Sequence, residues 1–170
     1  NRKMVKDAAE ALMQKGVESV AICYLWSIRN AEHEIETSRI ISELYPHIYN
    51  TYSSRIMPSE GEYERFNNAI IDAYIGPVTA KFLCRLDEIL KDRGLKCDMM
   101  TMKADGGSAL ISEAVPLATI HSGPAAGVLC AKFIGQIIGY QNIITADVGG
   151  TSFDNSVIAE GKLLYSREPT

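Results

Sequence analysis

Two aspartates, two glycines and two hydroxyl side chains lie within one short segment, directly after an apolar stretch at positions 143–146. In order, these residues are Asp147, Gly149, Gly150, Thr151, Ser152 and Asp154. Because glycine has no Cβ, a glycine pair lets the backbone turn sharply and bring its N–H groups against an anion. The hydroxyls add donors, and two carboxylates can hold a hydrated Mg²⁺ beside phosphate groups. The pattern predicts a phosphate-binding turn.

A plain β-hairpin is the alternative interpretation of the same segment, because Gly-Gly is also a common hairpin signal. In that case Gly149 and Gly150 would serve the turn alone. The two aspartates and two hydroxyls around the glycine pair favour nucleotide phosphate binding over the plain hairpin. We therefore expect Asp147 and Asp154 to hold Mg²⁺ through water, beside phosphate bound at the turn.

The first part of the chain predicts helices and strands in alternation. Apolar residues recur at helical spacing over positions 4–15, and a continuous apolar run over 19–26 is typical of a buried parallel strand. A helix is predicted from an N-cap at Asn30 to about Tyr45, and a strand over 47–52. This order is that of a layered α/β domain.

A long helical pattern follows over positions 60–93. Gly76-Pro77 interrupts it and either kinks one helix or separates two. The charged residues at its start are interpreted as a solvated first turn, favoured by the helix dipole: Glu60, Glu62, Glu64 and Arg65.

The last part of the chain predicts the elements that carry the glycine turn. A strand is expected over 96–103, and a helix over about 125–138 whose first residue is Pro124. Ser122 or Gly123 is the expected N-cap. After the turn, strands over 155–159 and 162–165, separated by Glu160-Gly161, predict an antiparallel meander.

Composition bounds the class of protein. The chain has 170 residues, 46% hydrophobic and 22% charged, as ordinary globular domains have. Its net charge of −4 gives no reason to expect nucleic acid or an anionic membrane as partner, and no apolar run approaches the roughly 20 residues of a membrane helix. The four cysteines and three histidines lack metal-site spacing, so we expect buried reduced thiols and a cytoplasmic protein. Both ends of the chain are interpreted as cut from a longer protein.

Several short motifs occur in order along nearly the whole chain. They are the segments 16–22, 24–27, 30–34, 63–66 and 102–107, then Ser122-Gly123-Pro124-Ala125-Ala126-Gly127-Val128 and the turn segment 147–154. Each motif alone is weak, whereas their succession resembles the hydantoinase A/5-oxoprolinase family. That family also includes subunits of acetone and acetophenone carboxylases.

The resemblance implies an α/β fold of the ribonuclease-H-like, actin-like ATPase type. In such proteins two domains close on a nucleotide, and each gives a glycine hairpin to the phosphates. The glycine turn here matches the second of these hairpins. Residues 1–53 are expected to be the C-terminal end of a hydantoinase/oxoprolinase N-terminal domain. Residues 54–170 are expected to be the start of a hydantoinase A domain, including its phosphate loop.

The resemblance also implies an activity. Members of the hydantoinase A/5-oxoprolinase family include ATP-dependent amidohydrolases that open cyclic amides such as hydantoins or 5-oxoproline after phosphorylation of the amide oxygen. By this resemblance Asp147 is expected to be catalytic, with Asp154 as its Mg²⁺ partner through water. Phosphate is expected to contact a larger set: Gly149, Gly150, Thr151, Ser152, Ser122, Gly123 and Gly127. The expected cofactors are ATP and Mg²⁺, and the expected partner is a hydantoinase-B-type subunit or domain in an oligomer.

Two other functions stay open on the same residues. One is a subunit of an ATP-dependent acetone- or acetophenone-type carboxylase, and the other is a non-catalytic actin-like nucleotide-binding protein. Three departures from the family pattern leave the substrate open: Trp26 stands where a histidine is frequent, Ala104-Asp105 where a serine–asparagine pair is frequent, and Asn155 where an aliphatic residue is frequent. The segment 105–107 is either a tight turn or a second ligand-facing loop.

Overall fold

The computed structural model describes residues 1–164 and divides into two compact units. Unit 1 contains Asn1–Met99 and Val115–Leu117, and unit 2 contains Met100–Ala114 and the chain from Ala118 onward. In the part of the chain that is described, no helix combines the length and the apolar character that crossing a membrane requires.

Unit 1 is a helix–strand alternation around a two-stranded parallel sheet. Its elements are α1 (Arg2–Gln14), β1 (Ser19–Ile22), α2 (Glu32–Leu44), β2 (Tyr49–Tyr52), α3 (Ser53–Ile56) and α4 (Glu62–Asp92). β1 and β2 run parallel, with Ser19 opposite Tyr49. Ala9, Ile22 and Ile41 form its apolar core. The predicted alternation and the parallel pairing of the strand are confirmed, but the strand ends at Ile22 rather than at Trp26, and the N-cap of α2 is Ala31 rather than Asn30.

The long helix α4 is continuous through Pro77, so the two alternatives left by the sequence resolve to one helix. Gly76 allows this helix to approach the sheet closely, because a Cβ at this position would collide with the ring of Tyr49. One turn earlier on the same helix, the buried carboxylate of Asp72 accepts hydrogen bonds from the Tyr49 hydroxyl at 2.9 Å and the Leu117 amide at 2.8 Å. Asp72 therefore anchors the segment 115–117 within unit 1.

Glu34 is fully buried at the start of α2 and has four hydrogen-bond donors. They are the Tyr24 amide at 2.8 Å, the Ser53 hydroxyl at 2.6 Å, and the Ser54 amide and hydroxyl at 2.9 and 2.6 Å. Burial opposes ionisation of this carboxyl, but the hydrogen bonds from Ser53, Ser54 and Tyr24 outweigh it and hold the pKa of Glu34 below its ordinary value.

Arg65 is the second fully buried charge of unit 1. Its guanidinium donates to the Ser53 hydroxyl at 3.1 Å, the Ser59 carbonyl at 3.2 Å and the Tyr24 carbonyl at 3.3 Å, and it pairs with Glu62 at 3.2 Å. The sequence interpretation of Arg65 as part of a solvated first turn is therefore wrong. The Arg65 guanidinium is surrounded by the carboxylate of Glu62 and by hydrogen-bond acceptors that the fold brings close, rather than by water.

Unit 2 consists of two antiparallel sheets and one helix. Its elements are β3 (Met100–Met102), β4 (Ser108–Leu110), a 3-10 turn (Pro116–Thr119, whose first two residues belong to unit 1), α5 (Ser122–Ile138), β5 (Ile143–Val148), β6 (Phe153–Ala159) and β7 (Lys162–Leu163). The predicted meander is confirmed as the sheet β5–β6–β7, although its expected end at Tyr165 lies outside the described residues. The strand expected over 96–103 is shorter, because β3 pairs only where β4 lies beside it.

All four cysteines are free thiols. Cys23 is half-buried, and burial raises the pKa of its thiol to about 11. Cys84, Cys97 and Cys130 are exposed, which corrects the expectation that all four are buried.

We expect Glu34→Gln to destabilise the natural polypeptide that contains these residues by about 3 kcal/mol, because an amide N–H₂ would face hydrogen-bond donors in a buried site. Because the pKa of Glu34 is lower in the folded protein, the stability that its carboxylate contributes is fully present above the ordinary pKa of 4.5. That stability is lost as pH falls through the lower pKa of the folded state. The gap in urea stability between wild type and variant should therefore narrow below about pH 4.5.

The matched control is Glu36→Gln, two residues along the same helix, where the carboxylate pairs with Arg2 and Arg39 at the surface. Surface ion pairs contribute about 0–1 kcal/mol, so this variant should unfold almost as the wild type does. Equal losses in both variants would contradict the assignment of Glu34 as the structural carboxylate.

Candidate functional site

The glycine turn joins β5 to β6 as a hairpin. Val148 pairs with Phe153, and the four residues between them form the turn, closed by a hydrogen bond from the Gly149 amide to the Ser152 carbonyl at 3.0 Å. Within the described residues, the amides of Gly150 and Thr151 donate no hydrogen bond. The turn thus has the geometry of a hairpin and also presents two free amide N–H donors. Hairpin geometry and phosphate binding are therefore compatible at this turn.

Neither glycine of the turn has a left-handed φ. A Cβ built on Gly150 would meet no atom within 4 Å, and one on Gly149 would make only an ordinary contact. The fold itself therefore does not need glycine at position 150. Close approach of an external group is a physical reason for a residue without a side chain at this point.

The hairpin face toward α5 becomes more polar as it approaches the turn. Gly135 on α5 lies against Ile143, which fixes this face of β5. Counting by twos along the strand, the same face carries an apolar pair, a hydroxyl pair and a carboxylate pair: Ile143 with Ile158, Thr145 with Ser156, and Asp147 with Asp154. The Thr145 and Ser156 hydroxyls are hydrogen-bonded to each other at 2.5 Å. Polar chemistry is therefore concentrated at the turn end of the sheet.

Asp147 and Asp154 stand directly opposite each other on adjacent strands. Directly opposed residues have Cβ atoms about 5 Å apart, and like charges in that position are destabilising. The Ser152 hydroxyl donates to Asp154 at 3.1 Å. Among residues 1–164, no lysine, arginine or histidine forms an ion pair with either carboxylate. A bound cation would relieve this repulsion.

A groove of about 450 Å³ runs between α5 and the hairpin. It falls within the size range of small-ligand sites, roughly 300–1,000 Å³. Small residues of α5, including Gly127 and Ala131, form one wall, and the other wall consists of 143–147 and 154–156. The structure thus brings Gly127, Asp147 and Asp154 to one groove. The remaining predicted residues lie beside it and do not line it: Ser122 and Gly123 at the start of α5, and Gly149, Gly150, Thr151 and Ser152 in the turn.

These residues fit a magnesium–nucleotide complex better than a metal enclosed by protein. The described part of the chain contains no group of three or more His, Cys, Asp or Glu side chains that could hold a metal. Mg²⁺ typically keeps several waters and binds one or two carboxylates together with phosphate oxygens. Two opposed carboxylates beside free amide donors provide that donor set.

The start of α5 differs from the sequence prediction. The helix begins at Ser122, and His121 occupies the N-cap position with a left-handed φ of 58°. Ser122 and Gly123 are therefore helical residues rather than caps, and Pro124 is the third residue of the helix rather than the first. A proline is tolerated there because amides in the first turn have no partner within the helix.

The segment 103–107 is a tight turn, which is one of the two interpretations left by the sequence. In this turn Asp105 pairs with Lys103 at 2.9 Å and accepts from the Gly107 amide at 2.8 Å, and both contacts lower the pKa of Asp105. Gly106 has a φ of +83° and leaves no room for a Cβ against Leu129 of α5. Asp105 also lines a second groove of about 190 Å³.

Two family profiles match the chain. Residues 65–170 match hydantoinase/oxoprolinase, and residues 1–45 match the hydantoinase/oxoprolinase N-terminal region. The first match covers more than half of the sequence. The chain belongs to the hydantoinase/oxoprolinase family.

Solved structures of two relatives resemble this family member. A nucleotide-free acetone carboxylase, from a study of ATP-dependent acetone carboxylation, superposes with a TM-score of 0.80 at 33% identity, over 95% of this chain and 23% of that one. An ATP-dependent caprolactamase from Pseudomonas jessenii gives a TM-score of 0.75 at 27% identity, over 90% and 22%. The likeness confirms the predicted fold class, a fragment of the α/β ribonuclease-H-like, actin-like ATPase fold.

The chain spans less than a quarter of the relatives' length. The caprolactamase subunit alpha of Pseudomonas jessenii is 28% identical over 163 residues, which are 95% of this chain and 23% of the relative. The family therefore includes proteins that act as subunits. The domain division predicted at residues 53 and 54 falls between the two matched profiles and stays a prediction.

Sequence analysis missed the hydroxyl pair Thr145–Ser156. The signal was present, because counting outward from a turn of four residues pairs these two positions. On the α5 wall of the groove Gly127 was predicted as a site residue, whereas Pro124, Val128 and Ala131 were not. Their place in the groove depends on how α5 packs against the sheet, a packing that includes the contact between Gly135 and Ile143.

Two glycines of α5 should respond oppositely to alanine. A Cβ at Gly127 meets open space, so Gly127→Ala should stabilise the helix by about 0.5–1 kcal/mol while narrowing the groove. A Cβ at Gly135 would collide with Ile143 and lie 3.0 Å from the Tyr140 carbonyl, so Gly135→Ala should destabilise by about 1–3 kcal/mol. Urea unfolding measures both, and a stabilised Gly135→Ala would contradict the packing of α5 described here.

Proposed function

We propose that this chain forms part of an ATP-dependent amidohydrolase that opens cyclic amides of the hydantoin or 5-oxoproline type. The observation that carries the proposal is the unpaired carboxylate pair Asp147–Asp154, placed at one end of a ligand-sized groove and beside the free amides of the glycine turn. Similarity to an ATP-dependent caprolactamase, which is named for a cyclic amide, supports it. Because the chain is a small part of its relatives' length, the activity is proposed for the whole natural polypeptide.

The roles of the residues follow from their positions. Bound Mg·ATP would supply a transferable phosphoryl group, and an amide phosphorylated on oxygen loses the resonance that protects its C–N bond. The turn amides and the hydroxyls of Thr151 and Ser152 hold phosphate oxygens, as preorganised donors do at low reorganisation cost. Asp147 would hold Mg²⁺ or orient the attacking group, and Asp154 would hold the metal through water. The open helix positions Gly123 and Gly127 leave room for phosphate beside α5, and Ser122 adds a hydroxyl at the first position of this helix.

A second candidate is a subunit of an ATP-dependent ketone carboxylase. The observation that favours it is the TM-score of 0.80 with acetone carboxylase. A non-catalytic nucleotide-binding protein is the third candidate, with the same turn and no turnover. In all three cases we propose ATP and Mg²⁺ as cofactors. For the enzyme we further propose a hydantoinase-B-type partner in a cytoplasmic oligomer, and no activity for the isolated 170 residues, which contain one phosphate loop.

A turnover screen separates these candidates. The natural polypeptide and its partner subunit are incubated with hydantoin, 5-oxoproline or ε-caprolactam, and in parallel with acetone and bicarbonate, each with and without ATP. ATP-dependent ring opening supports the amidohydrolase. ATP-dependent carboxylation supports the carboxylase instead, and nucleotide binding without either reaction supports the third candidate.

We expect Asp147→Asn to lower kcat about a hundredfold while the fold is retained, because loss of charge stabilisation at a transferring phosphoryl group raises the barrier by on the order of 3 kcal/mol. The substitution removes the repulsion with Asp154, so the melting temperature should stay the same or rise. The measurements are ring-opening rate against Mg²⁺ concentration and thermal unfolding.

The control for this variant is Asp7→Asn, an isosteric change at an exposed position on α1. It should leave both rate and Mg²⁺ dependence unchanged. A normal rate with normal Mg²⁺ dependence in Asp147→Asn would show that the turn is a hairpin without a role in catalysis.

A further inference from the structure

The hydroxyl pair Thr145–Ser156 lies between the apolar pair and the carboxylate pair on the hairpin face toward α5. Both side chains are half-buried, and both line the groove of about 450 Å³ between α5 and the hairpin. Their hydroxyls are hydrogen-bonded to each other at 2.5 Å, and within residues 1–164 neither makes another hydrogen bond. The pair thus faces the groove with hydrogen-bonding capacity that the described part of the fold does not use.

Packing of the sheet alone does not require hydroxyls at these two positions. A cross-strand pair of hydroxyl side chains stabilises a sheet by about 0.2–1 kcal/mol relative to alanine. The next pair along the strands, Ile143 with Ile158, is apolar. Aliphatic side chains at positions 145 and 156 would continue that apolar surface and bury more apolar area. Hydroxyls at this depth of the groove instead suit a polar ligand.

The balance of donors and acceptors indicates which polar ligand suits the pair. Each hydroxyl has one O–H donor and two acceptor lone pairs. After one hydroxyl has donated to the other, one O–H donor and three lone pairs remain. Phosphate oxygens only accept hydrogen bonds, whereas water that hydrates a cation turns its oxygen to the ion and donates both hydrogens outward. A site with mostly acceptors therefore suits the water around a cation better than it suits phosphate.

The hydroxyl pair also lies within reach of the carboxylates proposed for Mg²⁺. On each strand the hydroxyl and the carboxylate are two positions apart, a rise of about 7 Å. Water lies about 2.1 Å from Mg²⁺, and an O–H···O hydrogen bond adds about 2.8 Å. The water around an ion bound at Asp147 and Asp154 can therefore reach the hydroxyl pair, whereas the apolar pair is a further 7 Å or so along the strands.

We propose that Thr145 and Ser156 are positioning residues of the magnesium site, whose hydroxyls accept hydrogen bonds from the water that hydrates Mg²⁺ at Asp147 and Asp154. This inference rests on the magnesium–nucleotide site of the proposed function. The hydroxyls add acceptors without adding negative charge, so they orient the hydrated ion without increasing the repulsion between the two carboxylates. Removing groups that orient the ligands of a metal typically weakens metal affinity by about 10–100-fold.

The test is metal binding by Thr145→Val and Ser156→Ala in the natural polypeptide, with ADP present. Calorimetry with Mg²⁺, and water-proton relaxation with Mn²⁺ as the probe, should each show about tenfold weaker metal affinity in both variants. Affinity for ADP without metal should change less than about twofold, and the melting temperature should change little, since valine keeps the branched shape of threonine. Thr145→Ser keeps the hydroxyl and should bind the metal almost as the wild type does.

The matched control is Thr101→Val, the same change on β3 at a side chain that does not line the groove. It should leave metal affinity unchanged. In ring-opening assays of the two groove variants, the Mg²⁺ concentration for half-maximal rate should rise about tenfold, while kcat at saturating Mg²⁺ stays near that of the wild type.

Four results separate this inference from the proposed function. Unchanged metal affinity in both groove variants, with ATP-dependent ring opening intact, would overturn the role of the hydroxyls and leave the proposed function standing. Loss of cooperative thermal unfolding in both variants would make the pair structural and also overturn that role. Weaker metal binding in variants of a wild type that opens no ring would support the role of the hydroxyls and count against the amidohydrolase alone. A wild type that binds no Mg²⁺ with ADP would overturn both.

Discussion

Unit 1 depends on the hydroxyl of Ser53, which lies between two buried opposite charges. It donates to Glu34 at 2.6 Å and accepts from Arg65 at 3.1 Å. Through these contacts one small side chain connects the end of β2 to the starts of α2 and α4. Each charge would be strongly unfavourable alone in an apolar interior, so neither can be lost without leaving the other uncompensated. The same charges hold the backbone of the loop after β1, because the Tyr24 amide donates to Glu34 and the Tyr24 carbonyl accepts from Arg65.

The two units use charge in opposite ways. In unit 1 Glu34 is buried and accepts four hydrogen bonds, so its charge is fully engaged in contacts within the protein. In unit 2 Asp147 and Asp154 are exposed, stand opposite each other and have no cationic partner within the described residues. A buried carboxylate whose hydrogen bonds are made within the protein stabilises the fold, whereas two opposed carboxylates without a cationic partner favour the binding of a cation. This difference, more than the count of acidic residues, is the reason to propose a functional role for Asp147 and Asp154 and a structural one for Glu34.

Local pattern predicted most of the elements, although not α3 or β4, and it did not predict the burial of their charges. The glycine pair and the alternation around it predicted the hairpin, and period 3.6 predicted the helices. Arg65 was assigned to water because a charged residue in a first helical turn is usually solvated. Its burial comes from acceptors at Tyr24 and Ser53, which are distant in sequence. The continuity of α4 through Pro77 was also left open by the local pattern, and so was the close approach of Gly76 to the ring of Tyr49.

Backbone strain was the structural feature that could least be predicted from the sequence. Trp26 and His121 both have left-handed φ, and nothing in their residue types indicates it. Each is held by its surroundings: the Trp26 amide by Glu62, and the His121 carbonyl by the Ala125 amide at 3.2 Å in the first turn of α5. A conformation that is unfavourable locally can only be maintained where such contacts over-determine it. These residues therefore mark where the fold imposes a backbone conformation: Trp26 lies within the loop between β1 and α2, and His121 directly precedes α5.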